Sequence, residues 1–288
     1  MVYVLGIASA LALGVGYVLQ QRVAATMPLQ DLLRWRLLLE LMRRRQWWFG
    51  IASMVVGQIL SGFALQQASV ALVEPLLSSS LLFALVVSAS LSRLRVRWQE
   101  VVGALLLTAA LAVFIGVGNP HDSPAPDTDI IAISIAVAAV VGAVLALITV
   151  ARTRALVGEA VLLATAAGLL YGLQDAATRA AFVRIEHHGI RTILINPWIY
   201  IVVGSAAVGI LLAQSAFKAA RLDYSLPPIA AAEPVAGIVL GVSLLGDVIS
   251  LTITGIVLES LCLVAMIAGV ALIGRSPNLA AQDPRASH

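Results

Sequence analysis

Charge is scarce in this sequence. Only 11% of its 288 residues are Asp, Glu, Lys or Arg, against about 25% in soluble globular chains. Apolar residues make up 60%, and the mean hydropathy is +0.99. This balance excludes a soluble domain, and it excludes disorder, which needs the opposite composition. Lysine is nearly absent: of 18 basic residues all are Arg except Lys218. A net charge of +3, spread thinly between apolar runs, gives no basic patch for nucleic acid. The single cysteine, Cys262, excludes an intrachain disulfide and a Cys-based zinc site. There is no phosphate-binding Gly-x-x-x-x-Gly-Lys-Ser/Thr loop, no Gly-x-Ser-x-Gly nucleophile turn and no His-Glu-x-x-His pair. Neither an enzyme nor a bound cofactor is therefore expected.

Long apolar runs are what the sequence does have. About 20 apolar residues are needed to cross a bilayer as a helix. Nine stretches approach that length: 2–20, 48–66, 70–91, 101–118, 130–150, 156–176, 198–215, 225–246 and 250–273. In lipid each backbone polar group must be paired internally, so these are expected to be helices. The expected fold is all-α, a polytopic transmembrane helix bundle of about nine spans. Residues 2–20 lack the basic flank and cleavage site of a signal peptide.

Arginine placement predicts the orientation. Six Arg lie in the link 21–47, three at Arg93, Arg95 and Arg97, and two at Arg152 and Arg154. Lys218 with Arg221, and Arg275 with Arg285, fall on the same side. The positive-inside rule makes that side cytoplasmic, with the N-terminus outside and the C-terminus inside. The acidic, Pro-rich loop 119–129 and a loop at 177–196 fall outside; the latter carries Arg179, Arg184 and Arg191 against the trend. The link DLLRWRLLLELMRRR (31–45) reads as a short interfacial helix. Trp47, Trp48, Trp198 and Tyr200 begin spans and read as interfacial anchors. The tail 277–288 reads as a disordered end.

The chain also repeats itself. GVGYVLQ (14–20) matches GLLYGLQ (168–174) at Gly, Tyr, Leu and Gln, and ALVEPL (71–76) matches AAAEPV (230–235) at Glu-Pro. The offsets are 154 residues at Gln20/Gln174 and 159 at Glu74/Glu233. Five spans separate the copies, and an odd number inserts the second upside down. The chain thus divides into a first half, 1–150 (spans 1–5), and an inverted second half, 151–288 (spans 6–9). Inverted repeats of this kind are common in secondary transporters, with the substrate near the midplane between the copies.

Polar residues inside the spans mark the candidate site. A charge at the bilayer centre costs about 2.5–3.5 kcal/mol on insertion scales, so such residues face the bundle interior or a wet cavity. Glu74, Glu233 and Glu259 are the carboxyls concerned, and a sheltered carboxyl can load and release a proton. Pro75 and Pro234 follow two of them and predict a local helix break beside each carboxylate. Ser78 shares the Glu74 face, and Gly237 and Gly241 share that of Glu233. Tyr17, Gln20, Tyr171 and Gln174 lie near span ends, where interface anchoring and substrate contact both account for them. A structural role also accounts for the Glu pair, through hydrogen bonds to neighbouring helices. Glu159 and Asp175 read as solvated, and His187 with His188 as part of an outer loop. The Gly-x-x-x-Gly runs 168–172 and 237–241 read as close helix contacts.

These residues resemble the drug/metabolite transporter superfamily, of the EamA-like class. The resemblance covers nearly the whole chain and is strongest over 67–116 and 226–255. It implies two inverted halves around a central cavity lined by the third and eighth spans, where Glu74 and Glu233 fall. Such halves usually supply ten spans, and nine are counted here. WWFGIASMVVGQ (47–58) followed by LVEPLL (72–77) is also similar to the NIPA magnesium-transporter branch, which has a threonine before the third-span proline where this chain has Glu74. The leading expectation is a cytoplasmic-membrane secondary transporter for a small solute, proton- or exchange-coupled. The alternatives are a Mg²⁺ or divalent-cation carrier using Glu74 and Glu233 as metal ligands, and a non-transporting membrane scaffold. The expected partners are the substrate, the lipid bilayer and a second copy in a homodimer, with no nucleic acid.

Overall fold

The computed structural model describes residues 2–27, 32–65, 77, 79–92, 98–118, 130–188, 197–245 and 253–274. Glu74, Pro75, Ser78, the acidic loop and the C-terminal tail lie outside the described residues, as do the side chains of Pro234, Glu259, His187 and His188. The described residues form helices and no strand. In chain order these are α1 (Val2–Ala24), α2 (Trp35–Met42), α3 (Arg45–Leu65), α4 (Ser80–Ser92), α5 (Trp98–Gly118), α6 (Ile130–Ala151), α7 (Leu156–His188), α8 (Pro197–Ala219), α9 (Leu222–Leu245) and α10 (Ile253–Gly274). Among the described residues four stretches are long and apolar enough to cross a membrane: Val2–Ala24, Ile131–Ala151, Leu156–Thr178 and Pro197–Ala219.

Residue size is sorted in the manner of a membrane-embedded protein. The buried face of α7 is built mostly from small residues, Ala160, Ala164, Ala167, Gly168, Gly172, Ala176 and Ala180, with Leu163, Leu170 and Leu173 between them. The outer surface carries Ile131, Ile135 and Leu145 on α6, Val55 and Ile59 on α3, and Leu261 and Val264 on α10. In water, large apolar groups would lie inside. In lipid, burial of apolar surface gives helices no reason to associate, so small residues collect where helices touch.

Six helix pairs organise the bundle. α7 is the hub, with α8 and α9 along it and α6 over its outer side. α1 pairs with α3 and α4, and α5 pairs with α10. α1 and α3 run antiparallel, because Ser9 Oγ donates to Gly57 O (2.7 Å) and Ser53 Oγ to Ala12 O (2.7 Å). α1 and α4 run parallel: Gly14 faces Ser80 and Ala84, and further along Arg22 Nη2 donates to Leu91 O (3.2 Å). α7 and α9 are also parallel, with Gly168 against Ile229 and Gly172 against Gly237. One buried cluster extends from Val18 of α1 to Met266 of α10, so both halves of the chain share a core.

Four expectations are corrected. The helix begun at Leu156 does not end near residue 176; α7 runs 33 residues to His188. At 1.5 Å per residue that is about 50 Å, well beyond a hydrocarbon core of about 30 Å. The expected loop at 177–196 therefore starts as helix, and His187 and His188 lie on it. The break expected at Pro234 is absent, since α9 is helical throughout. The proline removes one N–H donor, yet the segment stays helical where it packs against α7. Only two of the four aromatic anchors face outward: Trp48 and Tyr200 are exposed, whereas Trp47 and Trp198 are buried in the protein. Glu159 is likewise buried.

Candidate functional site

Several of the candidate polar residues lie where α1, α7, α8 and α9 pack together. On α1, Tyr17, Gln20 and Gln21 follow the three- and four-residue spacing that places side chains on one face. That face meets the end of α8. Tyr17 sets its ring edge-on to Phe217, with centroids 6.4 Å apart and planes at 71°. Gln214 Nε2 donates to Gln20 Oε1, and Gln20 Nε2 donates to Met54 Sδ on α3. Gln21 Nε2 donates to Phe217 O (3.4 Å). Gln20 and Gln214 are 4% and 1% exposed. Gln20 is thus an inter-helix tie in the core, not an interface anchor.

On α7, Tyr171, Gln174 and Asp175 form the matching face. The ring of Tyr171 lies over Gly209 of α8, where a methyl group would come within 2.7 Å of its Cε1. The absent side chain at Gly209 is what leaves room for the ring. Tyr17 and Tyr171 both pack against the same buried core cluster. The two tyrosines therefore belong to one core, and Gly172, next to Tyr171 in the chain, lies against the Glu233 backbone. Tyr17, Tyr171 and Glu233 are all half-buried, whereas Asp175 is exposed.

Glycine sets how closely Glu233 is held. A methyl group on Gly172 would collide with Glu233 O and lie 2.6 Å from Ala236 Cβ and 2.7 Å from Gly237 N. On Gly168 it would lie 2.8 Å from Ala232 Cβ and from Ile229 O. α7 and α9 touch backbone to backbone at this point, which holds the Glu233 backbone against Gly172.

Of the sequence-predicted residues, Tyr17, Tyr171 and Glu233 gather here, and Gln20 borders them. Gln174 is half-buried; its carbonyl accepts Thr178 Oγ1 (2.7 Å), and its amide has no hydrogen-bond partner among the described contacts. Glu74, Ser78 and the side chain of Glu259 lie outside the described residues. Sequence reasoning missed Gln214, while Asp175 is exposed as its solvated reading implies. Gln214 is the only amide in PWIYIVVGSAAVGILLAQSAFKA, so the signal for it was a polar side chain inside an apolar span. No group of three His, Cys, Asp or Glu placed to hold a metal ion occurs among the described residues.

No family model matches the chain, and no solved structure does. The chain is similar to an uncharacterised protein of Corynebacterium glutamicum, with 29% identity over 281 residues that cover 97% of this chain and 96% of that one.

Proposed function

We propose that the chain is a secondary transporter of the drug/metabolite type, moving a small solute across the cytoplasmic membrane by alternating access and coupled to protons or to exchange. On this reading nine spans cross the bilayer, with the N-terminus outside and the C-terminus in the cytoplasm. The two halves are inverted copies that enclose the site. The observation that carries the reading is the neighbourhood of Tyr17, Tyr171 and Glu233. On this reading the tyrosines at matching positions of the two copies, both half-buried, flank a half-buried carboxyl inside the bundle, where an unused charge would be costly. The phenols offer hydrogen-bond donors to a polar solute, and Glu233 offers a site for a proton or a cationic group.

The test uses purified protein in liposomes under a pH gradient. Ligands are first found by thermal-shift screening of metabolites and divalent cations, since a ligand that prefers the folded state raises its apparent stability. Counterflow of the ligands found then measures transport. Glu74→Gln and Glu233→Gln are expected to abolish flux while melting within a few degrees of the parent. Undiminished flux in both variants removes the carboxyls from the mechanism.

A further inference from the structure

The arginine-rich end of the bundle holds a pocket that the transport reading does not use. It has a volume of about 410 Å³ and is lined by Val23 and Thr26 at the end of α1 and by Arg44, Arg45 and Gln46 at the turn from α2 to α3. Ligand clefts run from about 300 to 1,000 Å³, so it is large enough for a headgroup.

Its lining suits an anion. Arg44 and Arg45 are exposed, and among the described residues neither has an ion pair. The nearby carboxylate of Glu40 is taken by Arg36 (3.2 Å). Guanidinium groups grip phosphate oxygens in pairs. α3 starts at Arg45 and has no acidic residue in its first turn, so the positive end of its dipole is unmatched by any side chain of its own. Thr26 Oγ1 gives its one proton to Val23 O (2.7 Å), so it lines the pocket without donating to the anion, while the Gln46 amide can donate.

The surroundings indicate where the anion comes from. α2 has two apolar stripes. Leu37 and Leu41 are fully buried against the bundle, whereas Trp35, Leu39 and Met42 are 54%, 61% and 47% exposed. Trp48 extends that outer stripe, with its indole Nε1 donating to Met42 O (2.7 Å). A short helix with an apolar outer face beside a cluster of arginines has the composition of an element lying in the plane of an anionic membrane surface. The backbone leading into α2 is held against the bundle: Leu33 adopts φ 60°, and its N–H donates to the buried Ser215 Oγ (3.1 Å).

We propose that Arg44, Arg45 and Gln46 form a phosphate-binding pocket that holds the headgroup of an anionic phospholipid, with Trp35, Leu39, Met42 and Trp48 seated among the acyl chains beside it. The site is independent of the proposed transport activity.

The experiment uses the full chain in neutral detergent. Apparent melting temperature and native mass spectrometry are read against added phosphatidylglycerol, phosphatidylcholine and inorganic phosphate. Phosphatidylglycerol is expected to raise the melting temperature and to remain bound, whereas phosphatidylcholine does neither. Arg44→Gln/Arg45→Gln is expected to weaken phosphatidylglycerol binding about tenfold. Arg152→Gln/Arg154→Gln, at an exposed turn elsewhere, leaves it unchanged. Gln46→Leu keeps every charge and weakens binding a few-fold, a readout that survives if the double arginine variant does not fold. Stabilisation by inorganic phosphate alone, lost in the arginine variant, keeps the phosphate pocket but overturns the lipid as its source. Equal binding of the two lipids, or wild-type phosphatidylglycerol binding by both Arg44→Gln/Arg45→Gln and Gln46→Leu, overturns the site.

Discussion

Two glycines that face each other across the α7–α9 contact should respond oppositely to the same substitution. A methyl group on Gly172 would lie 2.6 Å from Ala236 Cβ and 2.7 Å from Gly237 N, and would also strike Glu233 O. Carbon atoms rest about 3.5–4.0 Å apart, so the helices would have to separate by about 1 Å. Two of the three obstructing atoms are backbone, which no rotamer change removes. Overpacking of this kind costs about 1–3 kcal/mol, partly offset by the roughly 1 kcal/mol by which Ala exceeds Gly in helix propensity. A methyl group on Gly237 meets nothing nearer than 3.9 Å, so Gly237→Ala keeps the propensity gain without the clash. The two variants should therefore differ by about 1–3 kcal/mol. At about 2 °C per kcal/mol for a chain of this size, Gly172→Ala melts a few degrees below Gly237→Ala. The buried thiol of Cys262 supplies the assay: a thiol-reactive dye reports unfolding of the detergent-solubilised protein without further labelling. Gly172→Ala melting at or above the parent, or Gly237→Ala melting as low as Gly172→Ala, would refute the backbone contact.

Three further substitutions probe other contacts. Gln214→Leu leaves Gln20 Oε1 without its donor, at a cost of about 1–3 kcal/mol. The double variant Gln20→Leu/Gln214→Leu should lose clearly less than the two single losses added, as a double-mutant cycle of melting temperatures would show. Gly209→Val should drive the Tyr171 ring out of its place, lowering stability by about 1–3 kcal/mol; Tyr171→Ala in the same chain should restore the melting temperature, and absence of that rescue would count against the ring contact. Arg36→Ala removes an exposed ion pair to Glu40, and stability should change by no more than about 0.5 kcal/mol.

The positions of the helices were legible in the sequence because apolar runs are long and their polar interruptions short. The expected 48–66 corresponds to Arg45–Leu65, 130–150 to Ile130–Ala151 and 198–215 to Pro197–Ala219. The extension of α7 to His188 was not legible that way. Hydropathy reports only the apolar part of a helix, while DAATRAAFVRIEHH (175–188) is rich in residues that favour helix whatever their polarity. Trp47 and Trp198 were misplaced because an aromatic at a span end reads the same whether lipid or another helix covers it. At the site, the Tyr17/Tyr171 match marked two tyrosines that both pack, half-buried, against one core cluster. The Gln20/Gln174 match misled, since what a side chain bonds depends on the opposite helix. Gln20 finds Gln214, and Gln174 has no amide opposite it among the described residues.

The contacts differ in kind, and this bears on how the proposed transporter would move. Within the first half, α1 and α3 are locked by Ser9 and Ser53 bonding to opposing carbonyls and by Gly16 and Gly50 approaching backbone to backbone. Within the second, Gly168 and Gly172 lock α7 to α9. Between the halves, α1 meets α8 through side chains instead: an amide pair and an edge-on ring contact. Such contacts re-form after small rotations, whereas backbone contacts of small residues do not slide without opening a gap. One contact between the halves is of the rigid kind, where Gly269 of α10 sits against Gly103 O and Leu107 N of α5. A bundle of two stiff units, joined rigidly along α5 and α10 and adaptably along α1 and α8, would rock about the first line and open along the second. Tyr17 and Tyr171 belong to different units, so that motion would change the separation between them while the Glu233 backbone stays against Gly172. Substrate would then be gripped and released chiefly by the movement of Tyr17.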